Sequence, residues 1–206
     1  MVVASAAADS AAAMTAARED SAAAVAVLAE AALRAGGEMR WSSLLRHLRF
    51  APWQTRRAFP QATLAAIARA IHAAEQAHGG EIRFAVEGAL DLPELWRGLS
   101  ARERAIEVFS HLHVWDTEHK DGVLIYLLLA ERDVEIVADR GIHQRVPSDA
   151  WEQVCRSMEA LLRQGRFEAA ALQGVAEVSG LLALHAPPRS SEKRNELPDW
   201  PVVLRL

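Results

Sequence analysis

The sequence predicts an α/β fold: a small mixed sheet with helices on both faces, an α/β/α sandwich. Two runs and their setting carry this expectation. Gly122 to Ala130 is continuously apolar, as a strand covered on both faces must be. Directly after it, across the short polar Glu131-Arg132, Val134, Ile136 and Ala138 alternate with Asp133 and Glu135. Apolar stripes at helical spacing flank both runs and are punctuated by Gly and Pro. With 206 residues, 51% hydrophobic and 24% charged, the chain suffices for one substantial core with flanking arms.

Four stretches are expected along the chain: an arm over 1–38, a basic segment over 39–59, the α/β domain over 60–187 and an extended tail over 188–206. The arm is Ala-rich and short of large apolar side chains, so it buries little area. It lacks the basic start and concentrated apolar stretch of a signal peptide, and no segment elsewhere reads as transmembrane. The composition breaks at Met39, which marks the arm as a candidate non-native extension and Met39 as an alternative translation start.

From Arg40 to Phe59 there is no acidic residue, and basic and aromatic side chains alternate: Arg40, Trp41, Arg46, Arg49, Trp53, Arg56 and Arg57. Ser42 or Ser43 is placed to cap a short helix there, and Pro52 to stop it. Such a stretch suits peripheral contact with an anionic membrane or partner. It equally suits a helix docked by its Leu/Trp side with wet arginines outside, the commoner arrangement.

Within the domain, Leu64, Ile67, Ala68, Ile71 and Ala74 mark the first helix, which Gly79-Gly80 ends. Ile82, Phe84 and Val86 alternate with Glu81, Arg83 and Glu87, the period of a strand with one solvated face or a partly covered edge. Ser100 to Glu103 is a capping box opening a helix whose expected buried face is Ala105, Ile106, Phe109 and Leu112. Trp151, Val154, Met158 and Leu161 mark a third helix, and Phe167, Leu172, Val175, Val178 and Leu182 a fourth, stopped by Pro187-Pro188.

A helical crossover makes the first two strands parallel, and the short connection makes the third antiparallel to the second. A two-residue turn at Glu131-Arg132 sets Asp139 to Gly141 beside Gly122 to Leu124, which brings Asp121 and Asp139 to one end of the sheet. Glu81 and the loop Trp115 to Lys120 arrive at the same end. Asp116, Glu118, Asp121 and Asp139 are therefore the candidate oxygen ligands for calcium or magnesium, with His119 and Arg140 as further binding candidates. The alternative is structural: Asp139 accepting backbone amides, and Asp116 and Asp121 stabilising turns.

Lys and Arg total 23 against 27 Asp and Glu, a formal charge of −4, so no overall basic field attracts nucleic acid. The one cysteine, Cys155, has no internal partner and lies near an apolar helix face, which suits a core residue in a reducing, cytoplasmic setting. His111 and His113, two apart on a helix, diverge, and no Gly-rich phosphate loop, nucleophile elbow or paired-His zinc motif occurs.

The run Trp115-Asp116-Thr117-Glu118-His119-Lys120-Asp121-Gly122-Val123-Leu124-Ile125, followed by Asp133 to Ile142 with its Asp139-Arg140-Gly141-Ile142, and then Trp151, resembles the TPM-domain family. The resemblance covers roughly Pro60 to Pro187 and implies the sandwich already argued; with neither leader nor anchor in view, the chain is similar to the short soluble bacterial members. It implies several activities: acid phosphatases, divalent-cation binders, and assembly or receptor-associated factors. A binding or assembly module with an unidentified protein partner is the preferred reading, cytoplasmic, with 40–59 a peripheral contact at the inner membrane surface. A divalent-cation-dependent phosphoester hydrolase is the alternative, and whether the chain is an enzyme stays open between them.

Overall fold

The computed structural model describes residues 41–188 and 195–204; the arm over 1–38 lies outside them. In chain order they form α1 (Trp41–Leu48), α2 (Pro52–Ala58), α3 (Gln61–Glu75), β1 (Glu81–Glu87), α4 (Leu92–Trp96), α5 (Ala101–His111), β2 (Gly122–Leu128), β3 (Asp133–Ala138), α6 (Arg140–His143), α7 (Ser148–Arg163), α8 (Phe167–His185) and β4 (Val202–Leu204). The strands make one four-stranded sheet in the order β3-β2-β1-β4. β1 is parallel to β2 and to β4, and β2 is antiparallel to β3.

The strand period sorts side chains onto two faces. Val123, Ile125 and Leu127 join Ile82, Phe84 and Val86 in a core roofed by α3, α7 and α8. Leu124, Tyr126 and Leu128 face the other way, under Ala101, Ala105, Val108 and Phe109 of α5. Both faces are thus covered, and the α/β/α expectation holds. α5 opens at Ser100, whose hydroxyl accepts from the Glu103 amide while the Glu103 carboxylate accepts from the Ser100 amide. α8 is the described helix long and apolar enough to cross a membrane. Here Ala170, Ala171, Val175, Val178 and Leu182 are buried in the core between α3 and α7.

The structure corrects four expectations. β1 is neither half-solvated nor an edge: all seven of its residues are buried, because the tail returns to pair with it. Within the extended tail, that pairing forms the short strand β4. The β2–β3 connection is four residues long, Leu129 to Arg132, with Leu128 opposite Asp133, so Gly122 faces Asp139 and not Gly141. A shift of two residues preserves the faces, so the sorting into cores is unaffected. Ile106 is 46% exposed, and Ala101 and Val108 take its place on the buried side of α5. Finally, the basic segment is two helices, with Pro52 opening the second at a position where a missing amide is harmless.

Both short helices are docked. Leu44 and His47 of α1 and Thr55 of α2 are buried, and Phe59 packs against Phe84 and Phe167 at 6.5 and 6.1 Å between ring centroids. Residues Ser42–Leu206 form one compact unit.

Candidate functional site

Opposite ends of the parallel strands carry opposite chemistry. At the amino ends, the loop before β2 is pressed against its neighbours by two close backbone approaches. A Cβ on Gly122 would overlap the Val114 carbonyl, and one on Gly141 would overlap the Lys120 carbonyl. The Thr117 hydroxyl accepts from the Asp121 amide at 3.1 Å, and the Asp121 carbonyl accepts from the Glu81 amide at 3.3 Å.

Two of the predicted acids meet at this end. Asp121 is buried, and the Asp139 amide donates to the Gly122 carbonyl at 2.8 Å. Asp139 caps α6: one carboxylate oxygen accepts from the Arg140 amide at 2.6 Å, while Oδ2 is buried with no hydrogen-bond partner among the described residues. Asp116 and Glu118 point elsewhere, both exposed, and the Glu118 amide donates to the Glu196 carboxylate at 3.0 Å. His119 and Arg140 are exposed as well. Among the described residues no three His, Cys, Asp or Glu side chains gather as a cation would require. The four carboxylates therefore do not fit calcium or magnesium as one ligand set.

At the carboxyl ends lies an open cleft of about 1270 Å³. Arg46 enters it from α1, Arg49 from the turn after α1, Arg57 from α2, Arg132 from the β2–β3 turn and Arg163 from the end of α7. Phe50, Trp53 and Phe167 supply its apolar wall. Arg56 is exposed outside the lining; Arg40 and the Trp41 side chain lie outside the described residues.

The cleft's one acid, Glu131, is already engaged. Buried His47 accepts the Leu90 amide on Nδ1 at 3.0 Å, so its other nitrogen carries the proton and donates to Glu131 at 3.2 Å. The Ser43 hydroxyl also donates to Glu131, and the Arg46 guanidinium stands 3.4 Å away. The His47 bond, reinforced by Ser43 and by Arg46, outweighs burial and holds the Glu131 carboxyl at about 2.

At the carboxyl end of β1 a charged network lies under α5. The Glu87 side chain is 0% exposed and accepts two guanidinium bonds from Arg104, at 2.9 and 3.1 Å, and one from the Tyr126 hydroxyl at 2.7 Å. Arg104 also pairs with Glu94 at 3.3 Å and Glu107 at 3.0 Å. Burial alone would pull the Arg104 guanidinium down, but these three carboxylates together push it up. Burial and then the Glu87 charge push the Tyr126 phenol up, so it stays a hydrogen-bond donor. Cys155 is half-buried, and burial together with the Glu135 charge pushes its thiol up to about 12, which removes it as a nucleophile.

Sequence reasoning marked Arg46, Arg49, Arg57 and Trp53 because they cluster locally in an acid-free stretch. It missed Arg132 and Arg163, isolated arginines at a turn and a helix end that no spacing connects to α1. It also missed the network at Glu87. The one available signal was three charged residues on one face of β1, Glu81, Arg83 and Glu87, in a strand that pairs with the one carrying the chain's only tyrosine.

A four-stranded mixed sheet between helical layers, acidic at one strand end and guanidinium-lined at the other, defines a small α/β/α sandwich domain with two charged ends. The chain belongs to the TPM domain family, whose family model matches residues 54–181, more than half of its length. It is similar to the BA42 protein of the psychrophilic bacterium Bizionia argentinensis, solved by NMR, at 28% identity and a TM-score of 0.58, over 69% of this chain and 92% of that one. No curated protein matches it.

Proposed function

We propose that this TPM domain is a binding or assembly module that holds an anionic partner in the arginine cleft. The observation that carries the reading is the convergence of five arginines, from α1 and the turn after it, α2, the β2–β3 turn and α7, on one open recess. Guanidinium groups bind carboxylate and phosphate oxygens in forked pairs and stay charged at every accessible pH. The recess lies outside the carboxyl ends of β1 and β2, where ligands of open α/β sheets are held. Phosphoester hydrolysis, the alternative, needs a nucleophile or a held water beside the phosphate. The described cleft lining offers no Ser, Thr, Cys or His, and its one carboxylate is committed to His47 and Ser43.

Retention on immobilised heparin tests the reading without presuming a natural partner. Despite a formal charge of −4, the protein should bind at low salt and elute as salt screens the arginines. The Arg49→Glu/Arg57→Glu double variant should elute earlier. Absence of retention, or phosphomonoester turnover that depends on added calcium or magnesium, would overturn the proposal.

A further inference from the structure

We infer that the cleft takes an oligophosphate, two or three adjacent phosphates, with a planar group laid against Trp53; this rests on the binding reading above and names its ligand. The charge count points to adjacent phosphates. Five guanidinium groups line the recess and one carboxylate, Glu131, offsets them from within. Arg163 has an outside partner in Glu159 at 2.6 Å, and Arg46 is shared with Glu131. Arg49 and Arg57, both exposed, form no ion pair among the described residues, so their charges face the open recess uncompensated. A single phosphate carries at most two charges and leaves most of this set unmatched, whereas a di- or triphosphate matches it.

The turn that carries Arg132 is specialised. Arg132 sits at φ 55°, a left-handed conformation that a side-chain-bearing residue adopts at some cost, and its guanidinium lies 3.5 Å from the Arg163 carbonyl. That brings the Arg132 guanidinium to the carboxyl end of α7, where Arg163 also lines the recess. Size points the same way. At about 1270 Å³ the recess far exceeds what a single inorganic anion fills, and it reaches the scale of a nucleotide-sized ligand. Trp53, 59% exposed, is a wide apolar ring held beside cations and left largely uncovered by the described residues. An exposed indole in a cationic recess is a stacking platform for a flat group.

Isothermal titration of the full chain at constant ionic strength provides the test, with inorganic tripolyphosphate, ATP and sulfate as probes, and flotation with phosphatidylcholine vesicles with and without phosphatidylglycerol as a parallel arm. Tripolyphosphate and ATP should bind and sulfate should not. Arg49→Glu/Arg57→Glu should weaken both by about tenfold or more, as loss of charge-assisted bonds requires. Arg69→Glu, an exposed arginine outside the lining, should change neither. Trp53→Ala should weaken ATP and leave tripolyphosphate unchanged, separating the ring platform from the phosphate clamp. Equal binding of sulfate, or capture by anionic vesicles without tripolyphosphate binding, would overturn the oligophosphate assignment. Heparin retention without tripolyphosphate binding would overturn it too, yet leave the binding reading standing; loss of both would remove both.

Discussion

Replacing Arg104 by Met takes the guanidinium from a carboxylate that has no solvent exposure of its own, since the Glu87 side chain is 0% exposed. Tyr126 still donates one bond, but the forked pair at 2.9 and 3.1 Å is gone, and Glu94, 7% exposed, loses its 3.3 Å pairing with Arg104 as well. Breaking a buried ion pair from one side costs about 3–5 kcal/mol, because the surviving charge is left in a medium that cannot solvate it. For a domain of this size that is a fall in melting temperature of roughly 6 to 20 °C. Tyr126→Phe, which removes a single charge-assisted bond, should cost about 1.5–3 kcal/mol. Urea unfolding followed by circular dichroism measures both, with unchanged m-values showing that the denatured state is the same. Because the penalty is the stranded charge, Arg104→Met/Glu87→Met should be closer to wild type than Arg104→Met alone. A loss below about 1 kcal/mol for Arg104→Met, the scale of a surface pair, would refute the buried-network account, as would a double variant worse than the single.

Four further outcomes are expected. Burial, and then the charges of Glu135 and Glu159, raise the Asp133 carboxyl from 3.8 to about 6, so the folded state disfavours its charge; Asp133→Asn should match wild type below pH 3.8 and be the more stable above pH 6 by thermal melts. Glu131 has the opposite sign: its carboxyl lies at about 2 instead of 4.5, so it stabilises above pH 4.5, and the deficit of Glu131→Gln relative to wild type should fade as the pH falls toward 2. Arg83 donates to the carbonyls of Pro198 and Trp200, and Arg83→Met should release the tail, seen as faster amide exchange in Val202–Leu204 and about 1.5–3 kcal/mol of lost stability. A chain beginning at Met39 should keep the full-length melting temperature; a clear drop would mean that the Ala-rich arm contributes to the core.

What the sequence made legible was what is local. The nine apolar residues from Gly122 and the alternation after them specify β2 and β3, because a period of two survives whatever the neighbours are. The Ser100 cap was readable for the same reason, its partner being Glu103. The outward residues of β1 were read as wet because what covers them is remote. Glu81 accepts from the amides of Glu196 and Leu197, Arg83 reaches Pro198 and Trp200, and Glu87 waits on Arg104. Charged side chains in an alternating strand look solvated until their partners are known. The hairpin register failed for a different cause: Glu131 and Arg132 look like a two-residue turn, but the chain takes four residues and absorbs the bend with Arg132 in a left-handed conformation. Of the acidic set, Asp121 and Asp139 share a sheet end as strand pairing dictated, while Asp116 and Glu118 belong to a loop whose side-chain directions no periodicity governs.

The arginine cleft and the site of Asp121 and Asp139 lie at opposite ends of β2, so a charged ligand meets a different local field at each. Seven residues of β2 set the two ends about 23 Å apart. In physiological salt, fields decay over about 8 Å, so an approaching polyanion senses the nearer end and hardly the farther. The total charge of −4 then governs little beyond the long-range approach. On the proposed binding reading, capture follows the local field of the cleft and not the total charge. On that reading a chain of formal charge −4 meets a polyanion through a cationic recess, and its rate of capture should drop with added salt as though the whole chain were basic.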